Sequence, residues 1–184
     1  MKNIPAARMF EEFNKLFISG KAVANFQQLR AYNLFEYFFP ATDYALRNNV
    51  SEHLEAFVSL ALKNTDFRIN NNQRVTPAFL FAAILWYPLQ AAIRHINDNQ
   101  KLTPQDAFFA GYDQVMSEQQ QSISIPKRFQ LVIKDIWILQ DRLSRKDPKK
   151  IYKTFEHPKF RAGFDFLLLR GEIEGGDLVD LGKW

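Results

Sequence analysis

A chain of 184 residues with 47% hydrophobic and 24% charged side chains has the composition of a soluble globular protein, and its length suffices for a core without staples. It contains no cysteine, which excludes disulfides and thiolate metal sites and fits a reducing compartment. The net charge is only +4, while eighteen Phe call for a large aromatic core or several aromatic helix contacts.

Pro and Gly punctuate the sequence, and nearly every segment between them has helical period. Met1-Lys2-Asn3 leads straight into an amphipathic helix, with no signal-peptide pattern. Pro5 opens that helix, which puts Met9, Phe10, Phe13, Leu16 and Phe17 on one face and is expected to end with Gly20 as C′ residue. Residues 21–33 repeat the pattern through Val23, Phe26 and Leu29. Residues 33–39 are short and aromatic, stopped by Pro40. Ser51 reads as the N-cap of a helix over 52–63 that buries Leu54, Phe57, Val58 and Ala61, with Leu62 at the stripe's edge. Residues 64–75 are polar and Asn-rich, and read as a loop.

Thr76-Pro77 combines a cap with Pro in the first turn and launches a helix over 78–87. That helix is apolar nearly all round, which predicts the centre of the fold. It is about half the length a membrane-spanning helix needs. Pro88 should kink or split it, with a more amphipathic arm running to Ile96. Thr103-Pro104 repeats the start signal for a helix through Phe108, Phe109 and Met116, and the glutamines at 119–121 lead on to Ser124-Ile125-Pro126, another helix start. Asp147-Pro148 should end the helix that follows. A short helix carries Lys149, Lys150, Tyr152 and Lys153. After the break at His157-Pro158 a third begins with Lys159 and Arg161, residues 164–169 form another apolar helix, and Gly175-Gly176 precedes a tail ending in Trp184. No strand-like alternation is long enough to believe, so the expected architecture is all-α, an irregular array of about eight to ten helices.

The residues after Pro126 are organised differently from the rest. At 100° per residue, Phe129, Val132, Ile133, Ile136, Leu139 and Leu143 share one side of the helix, and Lys127, Arg128, Lys134, Arg142, Arg145 and Lys146 the other. Leu131 and Ile138 fall among the basic residues, which predicts either partial cover or exposed side chains. From 126 to 162 there are eleven Lys/Arg against four Asp/Glu, a surplus of seven in a chain of net charge +4. Such a stripe suits phosphate contacts, whose affinity falls with salt and is largely blind to sequence. Arg128, Arg142, Arg145 and Arg161 could also stack on bases, and Tyr152 or Trp137 could serve as platforms. A solvated helix face accounts for the same charge pattern, and Trp137 borders the apolar stripe, which favours the core.

Catalytic signatures are absent. His53, His95 and His157 lack ligand-type neighbours at metal spacing, Asp98 beside His95 notwithstanding. There is no Gly-rich phosphate loop, no G-x-S-x-G and no Cys nucleophile. A two-metal nucleotidyl-transfer site wants paired carboxylates on a strand, and no Asp-x-Asp occurs. The expectation for this chain is therefore no catalytic residue, no metal and no cofactor.

Longer motifs carry a family resemblance. Ile125-Pro126-Lys127-Arg128-Phe129, Asp135-Ile136-Trp137, Leu143-Ser144-Arg145-Lys146 and Glu156-His157-Pro158-Lys159-Phe160-Arg161-Ala162, with Phe164-Asp165 and Leu169-Arg170, resemble the C-terminal part of bacterial poly(A) polymerases. Lys63-Asn64-Thr65-Asp66, the run from Arg74 to Ala83 and Trp86-Tyr87-Pro88 match the same family, and Pro5-Ala6-Ala7-Arg8 with Phe10-Glu11-Glu12 and Lys15-Leu16 resembles the helix after the nucleotide-binding motif of class II nucleotidyltransferases. The resemblance implies a catalytic head that binds ATP and Mg2+ and lies before Met1, so the chain is expected to be a truncated form, inactive by itself.

In that picture residues 1–35 are neck-like, 36–122 a helical body and 123–184 a basic leg, together one continuous unit in the cytoplasm and off the membrane. They hold a single-stranded RNA so that its 3′ end reaches the head. RNA contacts are expected from Lys127, Arg128, Lys134, Arg142, Arg145, Lys146, Lys149, Lys150, Lys159 and Arg161. Arg8, Glu12 and Lys15 would brace the head, or without it stay solvated or in local pairs such as Glu11–Lys15. Two rivals remain at this point: the matching part of a tRNA CCA-adding enzyme, and a helical module whose basic face meets an acidic protein partner.

Overall fold

A computed structural model describes residues 4–145 and 147–183. Among them there are eleven α-helices and no strand: α1 (Ala6–Phe17), α2 (Ala22–Ala31), α3 (Pro40–Arg47), α4 (Leu54–Asn70), α5 (Pro77–Ile84), α6 (Trp86–Asn99), α7 (Pro104–Ser122), α8 (Lys127–Ser144), α9 (Pro148–Phe155), α10 (Phe160–Glu174) and α11 (Asp177–Leu181), with a 3-10 turn at Phe35–Tyr37. The all-α expectation holds.

α5 sits at the centre. Ala78 and the whole run from Leu80 to Leu85 are buried, as expected of a helix without a polar face. The Phe81 ring lies 4.3 Å from Phe13 and 5.8 Å from Phe39, and a second aromatic group joins Phe166 to Trp86 at 5.4 Å and Phe57 at 5.6 Å. Nine of the eighteen Phe are buried, and one cluster of buried side chains runs from Met9 on α1 to Leu169 on α10. Among the described residues no single helix is long and apolar enough to cross a membrane; α5 and α6 meet that test only as a pair bent by 46°.

Pro88 explains the bend. It has no N–H to give the carbonyl four residues back, that of Ile84. The buried Thr42 hydroxyl of α3 donates to this Ile84 oxygen at 3.0 Å instead. Trp137 of α8 donates its indole N–H to Ala82 O at 3.1 Å, in the last turn of α5, where helical carbonyls lack partners of their own. The helix break is thus held from two sides.

Several boundaries differ from the sequence reading. Pro40 does not stop structure but starts α3, occupying the first turn where its missing N–H is harmless. The Ser51 hydroxyl accepts from His53 N–H, and α4 begins at Leu54. α4 then continues to Asn70 through the stretch read as a loop. Its polar residues are satisfied: Thr65 is buried and donates to Ala61 O, one turn back in the same helix, at 2.8 Å, and the Asp66 carboxylate accepts the N–H groups of Ala22 and Val23 at 2.7 and 3.1 Å. Asp66 therefore caps α2 from across the fold, beside the positive end of its dipole. α1 ends at Phe17, earlier than expected, although Gly20 does take a left-handed φ of 84°. Residues 164–169 are not a separate helix but the middle of α10.

α8 packs between α5 and α10. Its start is fixed by Gln120 and Gln130, which satisfy both backbone groups of Ile125: Gln120 Oε1 accepts its N–H at 2.8 Å, and the two side-chain amides donate to its carbonyl at 3.1 and 2.8 Å. Ile133, Ile136, Trp137, Leu139 and Gln140 are buried, Ile138 is half-covered, and Leu131 is exposed. Gly163 of α10 lets the two helices touch closely, since a Cβ there would lie 2.9 Å from Leu139 Cβ. The buried Gln140 amide bridges the two helices by donating to Gly163 O at 3.0 Å.

Candidate functional site

The end of α8, one side of α9 and part of α10 border a cleft of about 950 Å3, walled on the far side by α6 and α7. Asp147 caps α9 by accepting Lys149 N–H at 3.0 Å. His157 fixes the following turn: its Nδ1 accepts Lys159 N–H at 3.0 Å, and its Nε2 lies 4.0 Å from Asp135 on α8. These contacts carry the chain back past α8, so that Arg142, Arg145, Lys150, Lys153, Arg161 and Arg170 all line the cleft, against the carboxylates of Asp141 and Asp147.

The cations differ in what already holds them. Arg142 is exposed and has no hydrogen bond or ion pair with any described residue. Arg145 pairs with Asp141 at 2.9 Å, Arg161 with Asp165 at 3.1 Å and Lys150 with Asp147 at 3.8 Å. These pairs are solvated ones within a helix turn, worth a few tenths of a kcal/mol, so a phosphate can replace the carboxylate at little cost. Arg170 is different: its guanidinium lies 4.8 Å from the Trp86 ring, bonds Gln140 Oε1 at 3.3 Å and meets Glu174 at 3.4 Å, with the side chain 13% exposed. Glu174 also accepts the Tyr87 hydroxyl at 2.9 Å. Burial first, then this bond, pushes the Tyr87 pKa far above its usual value. Arg170 is built into the floor.

One wall is aromatic. Phe160 stands between Phe155, at 4.9 Å, and Phe164, at 5.8 Å, and all three line the cleft. Phe155 remains 51% exposed, and Tyr152, one turn earlier on α9, 75%.

Other residues of the predicted RNA surface lie elsewhere. Lys127 and Arg128 are exposed at the opposite end of α8, about 25 Å along its axis from Arg145 at 1.5 Å per residue. Arg128 lies 4.6 Å from its neighbour Phe129's ring, and Lys127 lines a separate shallow pocket with Asp113. Lys134 packs its ammonium 4.9 Å from both the Phe109 and the Tyr112 rings. Lys149 is exposed and Lys159 half-buried, and neither lines the cleft. Lys146 lies outside the described residues. Trp137 is no platform, because it is buried and bonded to α5. On α1, Arg8 is exposed, and Lys15 pairs with Glu12 at 3.3 Å instead of the expected Glu11, both spacings being neighbours on a helix surface. The sequence reading did not propose Lys153, Arg170 or the three phenylalanines as RNA contacts. Phe155 and Phe160 sit on opposite sides of the break at Pro158, so no helical period links them.

Fold and site together define a helical module that offers solvent a cationic, aromatic-walled cleft. Residues 1–46 match the family model described as the probable RNA and SrmB-binding site of polymerase A, and residues 100–184 that of the polymerase A arginine-rich C-terminus. Poly(A) polymerase I of Salmonella typhi is 43% identical over 185 residues, covering 100% of this chain and 40% of the relative. The Haemophilus influenzae poly(A) polymerase I is 40% identical over 184 residues, again 100% of this chain and 41% of the relative. The protein belongs to the bacterial poly(A) polymerase family and carries the two regions that these models describe, the probable RNA and SrmB-binding site and the arginine-rich C-terminus. It spans about 40% of the length of these curated relatives.

Proposed function

We propose that this chain holds the single-stranded 3′ region of an RNA for a polymerase that extends it with adenylate. The observation that carries the reading is the set of solvated cations on α8, α9 and α10 around one cleft, in a chain whose family matches include a probable RNA-binding region. Such cations release condensed counterions when they meet phosphates, which supplies affinity without sequence preference. Of the predicted contacts, Arg142, Arg145, Lys150 and Arg161 form this group, and Lys127 and Arg128 at the far end of α8 extend the track. Lys149 and Lys159 are secondary contacts at its margin.

ATP and Mg2+ belong in this reading to a separate catalytic head. Arg8, Glu12 and Lys15 on the exposed side of α1 are its proposed bracing surface. The chain works in the cytoplasm, away from the membrane. A filter-binding titration with a single-stranded RNA oligomer at several salt concentrations tests the proposal. A steep linear fall of log affinity with log salt is expected, and a flat or absent response overturns it in favour of a protein partner.

A further inference from the structure

We infer that the Phe155–Phe160–Phe164 ladder is the base-stacking wall of the cleft, so that a single-stranded polynucleotide is held there by its bases as well as by its phosphates. The inference rests on the RNA-holding function proposed above and adds to it a site and a mode of recognition. A phenyl ring that serves only the core is covered, yet Phe155 keeps half its surface in water while touching Phe160 at 4.9 Å. The ladder thus ends in an open aromatic face. Arg142 and Lys153 share the cleft with it, and neither has a carboxylate partner among the described residues.

An aromatic face next to solvated cations matches a nucleotide chain, which alternates flat π systems with negative charge. Bases inside a duplex are stacked on one another and offer no free face, so the occupant is single-stranded. An acidic peptide would satisfy the cations but has no regular partner for the ring. The cleft volume of about 950 Å3 lies at the upper end of the range of ligand-sized pockets, roughly 300–1,000 Å3, so it takes a short stretch of the strand.

The test compares an oligoadenylate with an abasic oligomer of equal length, binding the unaltered chain, Phe155→Ala and Phe155→Tyr. Phe155→Ala should weaken oligoadenylate about five-fold or more, the effect of losing one base–aromatic stack. It should leave the abasic oligomer within two-fold and the salt slope unchanged, and Phe155→Tyr should restore binding. A 2-aminopurine base placed in the oligoadenylate should be quenched on binding the unaltered chain, a readout that does not depend on any variant folding. Equal losses for both oligomers, no loss, or no quenching with any placement of the base overturns the stacking wall alone. If the unaltered chain binds neither oligomer, the RNA-holding function falls and the wall with it.

Discussion

Arg142 and Lys134 lie on the same helix, belong to the same basic stripe in sequence, and should behave oppositely. Arg142 is exposed and unpaired among the described residues, whereas the Lys134 ammonium is packed 4.9 Å from each of two aromatic rings. Each phosphate contact to a single strand contributes about 0.7 to the slope of log affinity against log salt. Over the decade from about 1 M, where that contact's gain vanishes, to about 0.1 M, the slope amounts to about 0.7 log units of affinity, or roughly five-fold. Arg142→Gln should therefore lower the slope by about 0.7 and weaken binding about five-fold at 0.1 M. Lys134→Gln should leave the slope within about 0.2 and instead cost about 0.5–1 kcal/mol of folding stability for each ring the ammonium no longer faces. Fluorescence anisotropy of a labelled oligoadenylate between about 0.05 and 0.3 M salt reads the slope, and urea unfolding reads the stability. The reasoning is refuted if Arg142→Gln keeps the unaltered slope, or if Lys134→Gln lowers it as much.

Three further outcomes concern the scaffold. Gly163→Ala gains about 1 kcal/mol of helix propensity but forces a Cβ to within 2.9 Å of Leu139 Cβ, an overpacking that costs about 1–3 kcal/mol. A net destabilisation is expected in urea unfolding; it should shrink in a Leu139→Ala background, and an equal effect in both backgrounds would show that the close approach of α8 and α10 is not its cause. Asp66→Ala removes the cap of α2 and should destabilise by about 1–2 kcal/mol, with unchanged stability counting against the capping role. The Tyr112 hydroxyl is pushed up to about 12 by burial and then by the charges of Asp113 and Asp135. A folded-state pKa raised above the unfolded value of 10.0 favours the neutral phenol, so this contribution is complete below about pH 10 and disappears as pH rises toward about 12. Tyr112→Phe should make stability less pH-dependent across that window, whatever it costs by removing the bond to Gln130 O, and an unchanged alkaline profile would contradict the assignment.

The sequence by itself determined most of the helices and their order, though not α3, α11 or the last two turns of α4. Helical period, Thr-Pro starts and the uninterrupted apolar run of α5 act within a turn or two of chain, so they are readable without the fold. The same locality made the stripe on α8 legible, including the split between its buried and exposed sides. Tertiary contacts decided the rest. The segment from Asn64 to Asn70 reads as a loop, yet it is helix, with Thr65 buried and Asp66 capping the start of α2. Charge likewise became a site only through packing. α9 and α10 turn back beside α8, which groups Arg142, Lys150 and Arg161 and brings the rings on either side of Pro158 together. The same packing puts Lys134 against α7 and leaves Lys127 at the other end of α8. A one-dimensional pattern records which side of a helix a charge occupies, but the neighbour that covers or completes it comes from distant sequence.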